Sequence, residues 1–104
     1  MNPFRLLPEA LLDLEEAVAW YQDQGHGLAA ALLDEFDACV AAAIEDPGIG
    51  SMSGTTANGN TIRRYRLRRF HRYAVLMALI NEVPTVVAFE HSSRRPVYWN
   101  DRVK

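Results

Sequence analysis

The chain has one cysteine, Cys39, in 104 residues, so no internal disulfide can form and a reducing compartment is expected. No apolar run approaches the roughly 18 residues needed to cross a bilayer. Asp13, Glu15 and Glu16 fall where a signal peptide would need an uninterrupted apolar segment. These absences predict a soluble, cytoplasmic protein without membrane contacts. His26, His71 and His91 stand far apart, and neither His-x-x-x-His nor Cys-x-x-Cys spacing occurs, so no metal and no cofactor is expected. There is no internal repeat.

The segment 47–60, PGIGSMSGTTANGN, holds four glycines and no charge. No Lys followed by Ser or Thr closes it, and no helical pattern follows to hold a phosphate, so a connecting loop is predicted rather than a nucleotide cradle.

With 49% hydrophobic residues, the chain can bury one core, and residues 1–104 are expected to form a single domain. The net charge of -2 conceals an asymmetry. Residues 1–60 carry ten acids against one base, Arg5, a balance of -9, whereas residues 61–104 carry ten bases against three acids, a balance of +7. Such a split suggests an acidic or phosphate-bearing partner for the second half, or two halves that neutralise each other across the fold.

The opening NPFRLL predicts a short strand ended by Pro8. From Pro8, Leu11, Leu14, Val18 and Tyr21 recur at helical spacing until Gly25 and Gly27. A second helix follows, with Leu28, Leu32, Phe36, Cys39, Val40 and Ala43 on one stripe, stopping before Pro47. After Asn60 the period becomes two. TIRRYRLRRF puts Arg63, Tyr65, Leu67 and Arg69 on one strand face and Ile62, Arg64, Arg66, Arg68 and Phe70 on the other. YAVLMALI is apolar throughout and predicts a central strand covered on both sides; NEVP is read as the turn, and TVVAFE as the last strand. The predicted fold is α+β, in the order β-α-α-β-β-β, with a helical hairpin on one face of a largely antiparallel four-stranded sheet.

Cys39 lies on an apolar stripe, where a thiol behaves as a small inert hydrophobe. Asp13, Glu15 and Glu16 are read as a solvated helix face. Alternate strand positions repeat at roughly 6.6 Å, near the spacing of phosphates along an extended strand, which makes Arg63, Arg64, Arg66 and Arg68, with Arg95 further on, candidates for target or phosphate binding. The alternative is a sheet face neutralised by helix acids. The terminal segment HSSRRPVYWNDR adds His91, Arg94 and Tyr98, the types a ribonuclease needs as base, phosphorane-stabilising cation and acid. Trp99 is expected instead to fold back onto the sheet as an apolar clasp, with Pro96 setting the turn.

ALLDLEEAVAWY, GLAAALLDEF, IRRYRLRRF, YAVLMALI and VVAFEHSSRRPVYW, taken in this order, resemble the RelE/ParE superfamily of type II toxin–antitoxin toxins, also called plasmid stabilisation proteins. The likeness covers nearly the whole chain. Its most specific parts are Trp20-Tyr21 ending the first helix and the His-x-x-Arg-x-Pro-x-Tyr-Trp order from His91 to Trp99. The resemblance implies a toxin neutralised by a cognate antitoxin. One branch of the superfamily cuts ribosome-bound mRNA, for which Arg63 or Arg64, Arg94 and Tyr98 would serve here; the other poisons DNA gyrase without being an enzyme. HSSRRPVYW looks more like the second, and an acidic chain is unusual for a binder of the ribosome. An inactive or adaptor member of the fold is the third reading. Assembly as a homodimer or as a toxin–antitoxin hetero-oligomer is compatible with all three. The chain departs from the pattern at Phe70-His71-Arg72-Tyr73, where many members have Phe-Pro-Tyr, and at Met77, where an aromatic is common.

Overall fold

A computed structural model describes residues 4–56 and 58–103. Strand β1 (Arg5–Leu6) leads into helix α1 (Pro8–Gln24) and helix α2 (Leu28–Glu45); a single 3-10 turn (Pro47–Ile49) then opens onto β2 (Ser51–Thr55), β3 (Thr61–Arg66), β4 (Tyr73–Ile80) and β5 (Val83–His91). The sheet order is β1-β5-β4-β3-β2, with β1 parallel to β5 and every other pair antiparallel. The α+β class and the helical hairpin agree with expectation, but the sheet has five strands rather than four.

The additional strand, β2, lies in the glycine-rich segment read as a loop. Its small residues carry little strand propensity, and it is held by pairing with β3, Ser51 opposite Arg64 and Thr55 opposite Thr61. The β4–β5 turn is also tighter than NEVP suggested. Only Asn81 and Glu82 form it, both at positive φ (51° and 66°), the two-residue geometry that matches strand twist, and Val83 and Pro84 already belong to β5.

Pro8 at the first helical turn and Glu9 beside it start α1. Its buried row is Ala10, Asp13, Leu14 and Ala17, whereas Leu11 is 43% exposed. The stripe is therefore rotated from the one the large apolar residues suggested. Small alanines face the sheet and allow the helix to approach it closely. The α2 stripe agrees with expectation, burying Leu32, Phe36, Val40 and Ala43.

The sheet is covered on both faces, as β4 predicted. Val75 and Met77 of β4 face the helices with Tyr65, Val86 and Phe89. Ala74, Leu76 and Ala78 face away, joined by Ile62, Val87 and Ala88, and are covered by Trp99 and Val103 of the C-terminal segment. Trp99 is 1% exposed, so the expected clasp forms. The face assignment around β3 needs one correction. The strand ends at Arg66, and Leu67 then donates to the Tyr73 carbonyl (3.0 Å), so Phe70 returns to the helix-side core with Tyr65 and Leu67.

Gly54 explains how the clasp fits. A Cβ there would stand 3.1 Å from Cη2 of Trp99, a side chain only 1% exposed that would have to shift by a few tenths of an ångström within the core. Trp99→Ala is expected to cost about 3–5 kcal/mol, and Gly54→Ala about 1–3 kcal/mol, in denaturant unfolding. The two are coupled: in a Trp99→Ala background the Gly54→Ala penalty should vanish, and a penalty that persists there would refute the packing account.

Candidate functional site

Asp13 was read as part of a solvated face, yet it is 7% exposed and has four partners. Among the described residues, strand β1 covers β5 at Thr85 and Val86, with Leu7 donating a last bond to the Val86 carbonyl. Beyond that point side chains take over the strand edge. The Phe89 N–H donates to Asp13 Oδ2 (3.1 Å), and Arg102 donates to the Val87 carbonyl (3.1 Å) and to both Asp13 oxygens (2.6 and 3.1 Å). Tyr98 donates its hydroxyl to Oδ2 (3.2 Å), and Arg94 reaches Oδ1 at 3.4 Å. One carboxylate thus ties α1, the β5 edge and the C-terminal segment together. The Asp13 and Arg102 side chains are only 5% and 12% exposed, so removing one would leave the other's charge buried and uncompensated.

The three residues considered for RNA cleavage are placed differently from one another. Tyr98 lies with the Arg94 and Arg102 guanidinium groups 4.6 and 4.8 Å from its ring centre. Burial, reinforced by the Asp13 charge, raises its pKa well above that of an ordinary tyrosine, so its proton is held rather than offered. His91 accepts the Ser93 N–H at Nδ1 (3.0 Å), with Ser93 Oγ also at 2.8 Å, and its ring meets Tyr73 edge-on. A neutral imidazole accepting at Nδ1 carries its proton on Nε2, so its one lone pair is already used. Arg94 is shared between Asp13 and a groove of about 710 Å³, where it and His91 stand with Arg72, Glu16 and the rings of Trp20, Tyr21 and Tyr73. Tyr98 does not line that groove.

The arginines are also divided. Arg63 donates to the Gly50 carbonyl (3.2 Å) beside a separate groove that includes Met77. Arg64 is paired with Glu90 at 3.1 Å on the opposite sheet face. Arg66, Arg68 and Arg95 are exposed, but Arg68 lies past the end of β3, so the regular ladder extends only over Arg64 and Arg66. Met77 faces the helix-side core, away from the His91–Arg94 groove. Asp13 and Arg102 are the residues that sequence reasoning missed. The available signal was position: Asp13 lies three residues after Ala10 and four before Ala17, on the row that packs against the sheet.

Cys39 is half-buried and donates to the Tyr65 carbonyl at 3.5 Å. Burial, with a smaller effect of Glu35, pushes its thiol up to about 11. Among the described residues, no group of three His, Cys, Asp or Glu side chains could hold a metal ion, and no helix is long and apolar enough to cross a membrane.

A helical hairpin lies on one face of the five-stranded sheet, and the groove beside it sets Arg72, Arg94 and His91 with Asp13 and Glu16 among aromatic rings, an arrangement in keeping with the small type II toxins that the sequence resembles. The chain belongs to the family described as "ParE toxin of type II toxin-antitoxin system, parDE", whose model matches residues 4–96. It is a toxin whose partner is an antitoxin. Comparison with curated proteins and with solved structures returns no match.

Asp13→Ala should lower stability by about 3–5 kcal/mol through the stranded Arg102 charge, seen as a lower denaturant midpoint; a change below about 1 kcal/mol would be that of a surface pair. Alkylation of Cys39 in the folded chain should rise with a midpoint near pH 11 rather than 9.0. Since the fold keeps the thiol protonated, its stabilising contribution is complete below pH 9.0 and is lost as pH climbs through about 11.

Proposed function

We propose that this toxin acts in the cytoplasm by binding and poisoning DNA gyrase, without catalysing a reaction of its own. The observation that carries this reading is the commitment of the groups that RNA cleavage would require. Tyr98, the candidate acid, donates its hydroxyl hydrogen bond to Asp13 and has a raised pKa. His91, the candidate base, has its free lone pair on the Ser93 N–H. A general acid and base work best with pKa values near the operating pH and with free access to the reacting proton. Binding makes no such demand, and the exposed Arg66, Arg68 and Arg95 remain free for contact with a target.

The second reading, a ribosome-dependent endoribonuclease, is favoured by one feature. The groove that brings His91 and Arg94 together with Arg72 also presents the rings of Trp20 and Tyr21, a combination suited to a phosphate with a stacked base. For the antitoxin, Leu12 and Trp20, 60% and 57% exposed on α1, offer apolar anchors, Trp20 at the rim of the same groove.

Purified toxin should inhibit gyrase supercoiling and leave ribosome-bound message uncut. Tyr98→Phe removes the phenolic proton while keeping the ring between its cations, and should retain that inhibition at a stability cost of about 1 kcal/mol. Cuts within codons that disappear in Tyr98→Phe and Arg94→Ala would instead establish the nuclease.

A further inference from the structure

We propose that the turn between β3 and β4 is a contact surface for the phosphate backbone of double-stranded DNA. From Arg66 to Arg72 the chain reads RLRRFHR. Arg66, Arg68, Arg69 and Arg72 are exposed, and none joins an ion pair among the described residues, where Arg64, Arg94 and Arg102 form the three pairs present. Ion pairing cancels little of the charge asymmetry: among the described residues, Asp13 is the only acid of the first sixty paired with a base of the second part.

These arginines stand on a fixed platform. Leu67 and Phe70, 3% and 6% exposed, anchor the turn in the helix-side core. Leu67 and Tyr73 close it with backbone bonds of 3.0 and 2.9 Å, Glu35 accepts the Arg69 N–H at 2.8 Å, and the Arg72 carbonyl accepts from Ser92 at 2.7 Å. Glu35 thus holds the backbone of the turn rather than pairing with one of its guanidinium groups among the described residues. Ordering of the loop is supplied by folding and need not be supplied by the ligand.

The competing occupant is an acidic protein surface. Protein interfaces depend on aromatic or apolar anchors at their centre, and both large apolar side chains of this turn point inward. Single-stranded nucleic acid calls for exposed stacking rings, whereas the turn exposes only the His71 imidazole. A duplex backbone requires fixed cations and little else. The choice of DNA over duplex RNA rests on the gyrase reading, since that target holds a DNA duplex.

The test is anisotropy of a short labelled DNA duplex titrated with the purified chain across a salt series. Four engaged guanidinium groups predict a slope of log K against log salt of about -3.6, at about 0.9 per phosphate neutralised. Arg68→Gln/Arg69→Gln should reduce its magnitude by about 1.8. Arg66→Gln/Arg68→Gln should do the same while leaving Arg69 over the Phe70 ring. No binding at low salt, a slope unchanged in both double variants, or equal or tighter binding of single-stranded RNA, duplex RNA or polyglutamate would overturn the proposal. Supercoiling assays on the same preparations separate the two readings. Inhibition without DNA binding removes the DNA surface alone; DNA binding without inhibition removes the gyrase reading alone.

Discussion

The structure depends on a single buried carboxylate. Strand β1 is two residues long, so the outer edge of β5 would be left unpaired just where the helices and the C-terminal segment converge. A buried backbone donor without a partner costs free energy, and so does a buried charge without one. Asp13 meets both demands. It accepts the Phe89 N–H and shares two bonds with Arg102, which in turn satisfies the Val87 carbonyl. Tyr98 and Arg94 complete the shell. The position of α1 against β5, and of the C-terminal segment against both, follows from this one group.

That network also limits the chemistry available at the same end of the molecule. Tyr98 and part of Arg94 are used to stabilise Asp13, and His91 is turned toward its own loop through Ser93. What is accessible there includes the charge of Arg72 and the ring surface of Trp20. A buried polar network gains from having every member satisfied, and here Tyr98, Arg94 and Arg102 all donate to Asp13.

Much of the fold was legible in the sequence because its signals are local. The helical hairpin, the two-faced β4 strand and the clasp of Trp99 are written in periodicity and in one large aromatic near the end of the chain. Strand β2 was not legible, because Ser51–Thr55 is small and glycine-containing and becomes a strand only by pairing with β3. The rotation of α1 was hidden too. Counting large apolar residues selected Leu11, while close packing against the sheet selected Ala10, Ala17 and the polar Asp13.

The candidate site divides along the same line. By itself the sequence determined which chemical groups are present, the arginine-rich second half and the His91–Trp99 motif, and with them the family, since residue types and their order need no partner to be recognised. Only tertiary structure decided which of those groups are spent and which are free. Arg64, Arg94 and Arg102 are paired, whereas Arg66, Arg68, Arg69 and Arg72 are exposed, because an ion pair requires a specific acid within a few ångströms. For Arg102 that acid is Asp13, 89 positions away in the chain, and no local pattern records such a distance.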